Sequence, residues 1–267
     1  MAVFRRTPPQ GQINPSGTPR VGHPPKGFDP RFMATSCLIW CRADVGITLN
    51  GSTVSGWADQ SGNGNNLTQG TASLQPTWVE DGLNEYPELS FDGTDDVMTG
   101  PSFFGSVTSA NSWTTAVVCR GWTWGGSTAH NTGRAVLGAP SGGGGYFNQT
   151  MLSQAGGGPG GGFYNGSAHK TAKAAAAGAQ GASLVWIMVN DGGDLTIHVN
   201  GASGTTVSSA GSVQSQATTL AVGHGTGSGT STAYWDGKIS EVLVFNGALA
   251  NGERGALEGY LMDRYGI

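Results

Sequence analysis

The sequence predicts an all-β domain that closes with one short helix, and three observations support this fold class. Glycine supplies 47 of the 267 residues, which is far above its usual share of about 7 %. Short apolar runs alternate with turn dipeptides such as Asn50-Gly51 and Asn200-Gly201. Helical spacing of apolar residues occurs only over 256–261. No apolar stretch approaches the roughly 20 residues of a membrane-spanning helix, so we expect no membrane partner.

Residues 1–32 differ in composition from the rest of the chain. They contain seven of the 12 prolines, and five basic residues against one acid give them a net charge of +4, whereas residues 33–267 carry −8. Proline favours extended backbone, which predicts an extended arm followed by one domain at 33–267. A terminus without any role is the alternative. The arm residues expected to bind a partner are Phe4, Arg5, Arg6, Ile13, Arg20, Lys26, Phe28, Arg31 and Phe32.

Apolar runs of strand length follow the arm in order along the domain. Their β-branched and aromatic residues favour strands. The predicted strands cover 37–41, 76–79, 88–91, 113–119, 134–138, 183–190, 195–200, 218–223 and 237–246. A tight turn at 191–194 joins two of them into a hairpin. In the last strand, strict alternation places Ile239 on one face and Val242 and Val244 on the other.

Glycine is concentrated in the middle of the domain, where it supplies 11 of residues 142–166. The alanine run within 172–179 favours a helix locally, but eight residues flanked by glycine cannot hold one alone. We therefore predict Gly-rich loops over about 140–182, around short strands near 146–147, 151–152 and 163–164.

The last segment predicts the helix. Asn251 is its predicted N-cap, and Glu253 lies in the first turn, where the helix dipole favours an acid. Arg264 lies in the last turn, and Gly266 ends the helix.

Three cysteines make a poor disulfide framework because their number is odd. Cys37 and Cys41 share one face of a regular strand but lie roughly 13 Å apart, which is too far for a disulfide. The chain has no second cysteine pair for a zinc site. The sequence therefore predicts three buried free thiols, the third being Cys119.

Five segments together resemble the concanavalin A-like lectin/glucanase superfamily, and specifically its laminin-G-like group, which is common in bacterial and phage surface proteins. The segments are 38–44, 54–69, 75–98, 195–201 and 235–267, and they occur in the order of that group. The resemblance extends over about 37–267 and fits poorly through 140–182. It implies a jelly-roll sandwich of two antiparallel sheets. The fold alone implies no function, because it supports binding modules, enzymes and structural parts.

Glycoside hydrolysis is the enzymatic alternative that this resemblance brings. It needs two carboxylates about 5–10 Å apart, and enzymes of the superfamily carry an E-x-D-x-x-E strand motif, which this sequence lacks. Glu241 is a lone strand acid, and the adjacent Asp95 and Asp96 point to opposite sides of an extended backbone. A nucleophile elbow of the G-x-S-x-G type is also missing. We therefore expect no enzyme; a glucanase-like activity through Glu241 or 92–96 is the second alternative.

Calcium is the cofactor candidate, since relatives in the laminin-G group often bind it at loop tips. Calcium prefers carboxylate and amide oxygens, and two segments offer them: Asp59, Asn63 and Asn65 in one loop, and Asp92, Asp95 and Asp96 in another. Both segments are equally typical of Asx turns that need no metal. We therefore expect no cofactor.

Carbohydrate binding would use an exposed aromatic platform beside polar groups. Trp122 and Trp124 alternate on one face near a turn and are the candidates for a host glycan. The alternative is that both cover the edge of the sandwich. The basic arm has no aromatic interleaving, so we expect no nucleic-acid partner.

The leading hypothesis is a virion structural protein, either a capsid decoration or cement subunit or a tail component. The N-terminus has no apolar stretch of the 7–15 residues that a signal peptide needs. A virion protein is assembled in the host cytoplasm, so it needs neither an export signal nor a catalytic site. The arm would anchor the chain to other capsid or tail subunits in a homo-oligomer, with the lectin-like domain facing outward. The first alternative is a carbohydrate-binding adhesion module of a tail fibre or cell surface.

Overall fold

The computed structural model describes residues 28–102, 112–121, 134–139, 148–154, 158–165, 167–175, 181–208, 210, 219–226 and 232–267. These residues form 3-10 helices at Pro30–Phe32, Ala72–Leu74 and Leu83–Glu85, and one α-helix, α1, at Asn251–Tyr265. The strands are β1 (Cys37–Arg42), β2 (Ile47–Asn50), β3 (Thr53–Trp57), β4 (Leu67–Thr68), β5 (Thr77–Val79), β6 (Glu88–Asp92), β7 (Met98–Ser102), β8 (Trp113–Arg120), β9 (Arg134–Ala139), β10 (Asn148–Gln154), β11 (Gly158–Tyr164), β12 (His169–Lys173), β13 (Leu184–Asn190), β14 (Leu195–Val199), β15 (Ala202–Val207), β16 (Thr219–Val222), β17 (His224–Thr226), β18 (Thr232–Tyr234) and β19 (Asp236–Phe245).

Antiparallel ladders arrange the strands in two layers. One layer has the order β15-β14-β13-β8-β19, and the free side of β19 pairs first with β6 and then with β1. The other layer has the order β7-β16-β9-β10-β11-β12. Strands β3, β4 and β5 connect β6 to β7 along one edge. The predicted all-β sandwich is confirmed.

Two apolar clusters lie on opposite faces of the first layer. The inner core fills the space between the layers, where the rings of Trp113 and Phe163 meet edge to face with their centroids 6.0 Å apart. The second cluster lies under α1 and includes Val118, Ile187 and Leu257. Strands β8 and β13 alternate between the two clusters and are therefore apolar on both faces, which explains their continuous apolar runs.

Two β-bulges change which face some predicted strand residues occupy. The β1–β19 register shifts between Cys37 and Ile39, so Cys37 lies in the cluster under α1 and Cys41 lies in the inner core. The β8–β19 register shifts between Ile239 and Glu241, so Ile239 enters the same core as the valines at 242 and 244. Strict alternation therefore predicted the wrong faces, because one extra residue in a strand reverses the parity beyond it.

The Gly-rich segment forms strands where the sequence predicts mostly loops. Strands β10, β11 and β12 are an antiparallel meander within 140–182, while the short strand predicted at 146–147 lies outside the described residues. Gly162 pairs with Thr171, and a Cβ at 162 would run into the carbonyl of Lys170. Ladder bonds and close backbone approach therefore override the low strand propensity of glycine.

Helix α1 confirms the predicted C-terminal helix, with a correction at its start. The N-cap is Ala250 rather than Asn251, and the Glu253 carboxylate accepts the Ala250 N–H at 3.2 Å. The same carboxylate accepts the N–H and hydroxyl of Thr35, each at 2.9 Å, so it ties the helix to the start of β1. Gly266, with φ +65°, ends the helix as predicted.

The predicted free thiols are confirmed. Cys37, Cys41 and Cys119 are buried and unbridged, and burial raises the pKa of each thiol. Within the described part of the chain, no helix combines the length and hydropathy that crossing a bilayer requires.

Candidate functional site

Several strands begin or end together at one end of the sandwich. Strand β6 ends at Asp92, opposite Asp236 at the start of β19. Strand β9 begins at Arg134, and β18 ends at Tyr234, two residues before Asp236. We call this group the acidic end; its members are Asp92, Asp95, Asp96, Arg134, His224, Tyr234 and Asp236.

The turn after β6 gathers three carboxylates. One oxygen from each of Asp92, Asp95 and Asp96 lies within 4.8 Å of the others. Asp92 Oδ1 accepts the N–H of Thr94 at 2.8 Å and of Asp95 at 3.3 Å, and Asp96 Oδ2 accepts the N–H of Asp92 at 2.9 Å. These are the bonds of an Asx turn, the alternative to a metal loop that the sequence leaves open. The turn brings Asp95 and Asp96 together, although adjacent residues of an extended strand would point apart.

The turn also shifts the pKa values of Asp92 and Asp96 in opposite directions. The pKa of Asp96 is raised to about 6, mainly by burial and also by the charges of Asp92 and Asp95, although the hydrogen bond from the Asp92 N–H opposes this. For Asp92, burial opposes ionisation, but the N–H donors of Thr94 and Asp95 hold its pKa below the usual value. Asp92 is exposed and Asp95 half-buried, so the turn presents negative charge to solvent.

Arg134 joins the turn to the neighbouring strands. Its Nη1 donates to the carbonyls of Gly93 at 3.3 Å and Tyr234 at 3.4 Å, and its Nη2 lies 3.7 Å from Asp236 Oδ2. Gly93 has φ +76°, and a Cβ there would collide with the guanidinium of Arg134 and with Asp236. Glycine is therefore required at 93 by both the turn and the packing of Arg134.

An aromatic pair completes the acidic end. His224 and Tyr234 are cross-strand partners in the β17–β18 hairpin, and their rings stack with centroids 4.5 Å apart at 24°. Both side chains are half-buried. Burial lowers the pKa of His224, so its imidazole is neutral at pH 7. Gly138 lets β17 approach β9, because a Cβ there would lie 2.7 Å from the His224 carbonyl.

Trp122 and Trp124, the sequence candidates for a sugar platform, lie outside the described residues. The described residues on either side of 122–133 show where this segment begins and ends. Before the segment, Arg120 of β8 pairs with Lys238 of β19, and Lys238 is two residues along β19 from Asp236. After the segment, β9 begins at Arg134. The described residues that flank this segment therefore lie at the acidic end.

The loop carrying Asp59, the other calcium candidate, is a clamp on β1. The Asp59 carboxylate accepts the N–H groups of Trp40 at 2.9 Å, Ser61 at 2.8 Å and Asn65 at 3.0 Å. The side-chain amide of Asn63 donates to the Cys37 carbonyl at 2.9 Å, and that of Asn65 donates to the Leu38 carbonyl at 2.8 Å. These bonds hold the bulge in β1, which gives this oxygen-rich loop a structural role.

The arm is described only from Phe28 onward, so Phe4, Arg5, Arg6, Ile13, Arg20 and Lys26 lie outside the described residues. The Phe28 ring stacks on Tyr260 of α1 in the same chain, with centroids 4.9 Å apart. Arg31 pairs with Asp29 at 2.5 Å. Phe32 is 84 % exposed.

Glu241 is fully buried beneath α1 rather than facing a cleft. Its carboxylate accepts Trp40 Nε1–H at 2.6 Å and the hydroxyls of Tyr265 at 2.8 Å and Tyr260 at 3.4 Å, and Arg264 Nε lies 3.6 Å away. Burial raises the pKa of Glu241, although the charge of Arg264 opposes this. A carboxylate with no exposed surface cannot contact a polysaccharide, so Glu241 fastens the helix instead.

Comparisons with known proteins support the fold. Neither a protein-family model nor a curated protein matches the sequence. Among solved structures, the chain is similar to domain 4 of AbnA, a GH43 extracellular arabinanase from Geobacillus stearothermophilus, in complex with arabinotriose. The identity is 14 %, the match covers 86 % of this chain and 98 % of that one, and the TM-score is 0.59.

Two longer proteins contain a similar region. Trypanosoma rangeli sialidase is 11 % identical, with 85 % of this chain and 32 % of that chain covered and a TM-score of 0.55. Botulinum neurotoxin type C, described as depending on two ganglioside molecules for cell entry, is 10 % identical, with 84 % and 51 % covered and a TM-score of 0.55. This chain spans about a third and about half of those two structures. At these identities the likeness shows a shared β-sandwich fold.

Sequence reasoning identified the acidic turn but missed Arg134, Tyr234 and Asp236. It placed His224 in a Gly/Ser/Thr-rich loop. The register of β17 with β18 and of β6 with β19 brings these residues together. A hairpin signal around the Gly/Ser/Thr-rich segment 227–231 could have paired His224 with Tyr234.

Proposed function

We propose that this chain is a carbohydrate-binding β-sandwich domain and that its sugar site is the acidic end. The observation that carries the proposal is the half-buried His224–Tyr234 ring pair, together with Arg134, which donates to the backbone carbonyls of Tyr234 and of Gly93 in the acidic turn. A sugar presents an apolar ring face and a rim of hydroxyls, so it needs an aromatic surface beside fixed donors and acceptors. The acidic end combines these features.

Carboxylates and a guanidinium suit sugar hydroxyls well. Hydrogen bonds to charged groups are stronger than those between neutral groups, and Asp92 and Asp95 offer oxygens near the surface. The fold likeness to an arabinanase domain solved with arabinotriose adds support, because this chain covers 98 % of that domain. Trp122 and Trp124 stay predicted platform residues, since the described residues on either side of their segment, at the end of β8 and the start of β9, lie at the acidic end.

The test is a glycan array followed by titration calorimetry of the strongest ligands with the full chain. We expect Tyr234→Ala to weaken binding at least tenfold, because a stacking surface is lost. Asp95→Asn gives an independent readout at a half-buried position where misfolding is not expected. The matched control is Phe32→Ala, which removes a ring that is 84 % exposed and does not belong to the acidic end.

Three outcomes would contradict the proposal. The first is a failure of the full chain to bind any glycan. The second is full affinity in the Tyr234→Ala variant while its melting temperature matches the wild type. The third is a loss of binding in Phe32→Ala as large as in Tyr234→Ala.

We propose binding without turnover. A glycosidase places two carboxylates on either side of the scissile bond, whereas the acids at 92, 95 and 96 share one turn with oxygens within 4.8 Å, and two of them already accept backbone N–H groups. Glu241 is inaccessible. Incubation of the bound polysaccharide with the full chain should release no reducing ends, and release that is abolished by Asp95→Asn would reverse this conclusion.

The virion role stays a proposal that the basic arm supports. Residues 1–27 contain four Lys or Arg residues and no acid, and they lead directly into Phe28, which is held on α1. We expect the full chain to co-sediment with particles stripped of it and a variant with Arg5, Arg6, Arg20 and Lys26 changed to Gln to stay in solution. Equal sedimentation of both would remove the arm as the anchor.

A further inference from the structure

The charged groups of the acidic end indicate which glycans this site accepts. Four carboxylates meet there, from Asp92, Asp95, Asp96 and Asp236. Among the described residues, one cation, Arg134, lies between these acids and is already engaged with Asp236 and with the carbonyls of Gly93 and Tyr234. His224 is neutral at pH 7, because burial lowers its pKa.

Two further described cations lie next to the acidic end in the β8–β19 ladder and do not reverse this balance. Arg120 is bound to the buried Glu88, with Nη2 and Oε2 2.6 Å apart. Lys238 is half-buried and lies opposite Arg120 in the ladder, further along β19 from the acidic turn than Asp236. Even with Lys238 counted, the carboxylates outnumber the available positive charges at this end.

The sequences of two segments that follow or precede strands of the acidic end contain no charged residues. Residues 122–133 and 227–231 contain no Lys, Arg, Asp or Glu; besides Trp122, Trp124 and His130 they are Gly, Ser, Thr, Ala and Asn. The described side chains of the acidic end therefore carry a net negative charge. Its polar groups are mainly acceptors of hydrogen bonds.

An acceptor-rich, negative site discriminates between sugars. Hydroxyl groups of a neutral sugar can donate to the carboxylates, and the ring pair can pack on the apolar face of the sugar. A sugar carboxylate or sulfate would need an uncommitted Arg or Lys and would instead face like charge, which is a strong means of rejecting a ligand.

We infer that the acidic end selects neutral glycans and rejects glycans whose sugars carry carboxylate or sulfate groups. This inference rests on the proposed sugar site at the acidic end. If it is correct, the chain does not bind sialylated or uronic-acid glycans, although the fold is compatible with binding either neutral or anionic glycans.

The experiment measures the affinity of the full chain for matched oligosaccharides. Each pair consists of a neutral oligosaccharide and a derivative that differs by one carboxylate, such as a hexose against the corresponding hexuronic acid or a galactose end against a sialylated one. In about 0.15 M salt we expect the anionic member to bind at least tenfold more weakly. Raising the salt to about 1 M should narrow the gap, because the Debye length falls from about 8 Å to about 3 Å.

A charge variant tests the cause. Asp92→Asn together with Asp95→Asn removes two negative charges, while the amide oxygen of an asparagine at position 92 can still accept the N–H groups of the turn. We expect this variant to lose most of the discrimination. The control is Glu80→Gln, an exposed residue next to Val79, which pairs with Glu88 at the other end of β6; it should leave the ratio of affinities unchanged.

The outcomes are distinct. Anionic members that bind as tightly as neutral ones, and lose affinity in Tyr234→Ala, overturn the selectivity and leave the sugar site standing. Discrimination that Glu80→Gln relieves as much as the double variant overturns the role of the acidic turn. Binding of neither member overturns the proposed function and this inference with it.

Discussion

Replacing Glu241 with alanine tests whether one buried carboxylate fastens α1 to the sheet. The substitution leaves the Trp40 indole and the hydroxyls of Tyr265 and Tyr260 without their acceptor, at original distances of 2.6, 2.8 and 3.4 Å. It also removes the negative charge 3.6 Å from Arg264 Nε. Hydrogen bonds to a charged group contribute about 1.5–3 kcal/mol each, and breaking a buried ion pair by removing one partner costs about 3–5 kcal/mol.

These contributions overlap, so we expect Glu241→Ala to lower the free energy of unfolding by about 4 kcal/mol. For a chain of this size each kcal/mol shifts the melting temperature by about 2–4 °C, which gives a decrease of roughly 8–16 °C. Tyr265→Phe removes one of the three donors and should cost about 1–2 kcal/mol. The exposed Glu80→Ala should stay within about 0.5 kcal/mol of wild type.

The assays are urea unfolding followed by circular dichroism and hydrogen exchange of the amides of α1. The helix amides of the Glu241→Ala variant should exchange faster than those of Glu80→Ala, because the helix loses its polar attachment to β19 and β1. Arg264 still holds Asp44 at 2.6 Å and packs over the Tyr86 ring at 4.0 Å, so the helix should remain formed. A loss below about 1 kcal/mol in Glu241→Ala would refute the role assigned to this carboxylate.

Three further measurements address the turn, the outer face and the metal. Gly93→Ala should destabilise the protein by about 2 kcal/mol, because φ at this residue is +76° and a Cβ would collide with Arg134. Gly259→Ala on α1 is the control, since a Cβ there has open space and should not destabilise the protein. Equal melting temperatures of the two variants would contradict the predicted backbone strain at Gly93. Burial and nearby Arg254 lower the pKa of His198 to about 4 from its ordinary value of 6.5, so the unfolded chain binds the proton more readily and stability falls as pH decreases from about 6.5 to 4. His198→Gln should flatten that part of the pH profile by about 1 kcal/mol after solvent screening, and an unchanged profile would exclude His198 as its cause. With the acidic turn hydrogen-bonded as an Asx turn, millimolar calcium or EDTA should leave the melting temperature unchanged, and a calcium-dependent rise that is lost in Asp95→Asn would establish the metal site instead.

The fold class was predictable because it depends on local patterns. Continuous apolar runs at 113–119 and 183–190 lie in central strands that are buried on both faces. The helix was predictable from the spacing of Leu257, Tyr260 and Leu261, all of which pack under it. Its first residue was misjudged by one position, because Glu253 caps through contacts with Ala250 and with the distant Thr35.

The candidate site was predictable only in part. The acids of the turn are close in sequence, and their grouping follows from one Asp-rich segment. Arg134, His224, Tyr234 and Asp236 come from separate strands, so their association depends on sheet register and on the close approach of β17 to β9 at Gly138. A single sequence does not say which strands pair with each other, so it contains little signal for such an arrangement.

Local patterns in the sequence were sufficient to predict the all-β class, the closing helix, the buried free thiols and the uneven charge between the first 32 residues and the rest. Each of these depends on composition or on residues a few positions apart, which fix local geometry and solvation. The bulges that reverse the faces of β1 and β19, the ladders of the Gly-rich strands and the burial of Glu241 beneath α1 became visible only in the folded chain. These depend on which strands become neighbours, because hydrogen-bond registers and close packing between distant segments override the local preferences of the residues involved.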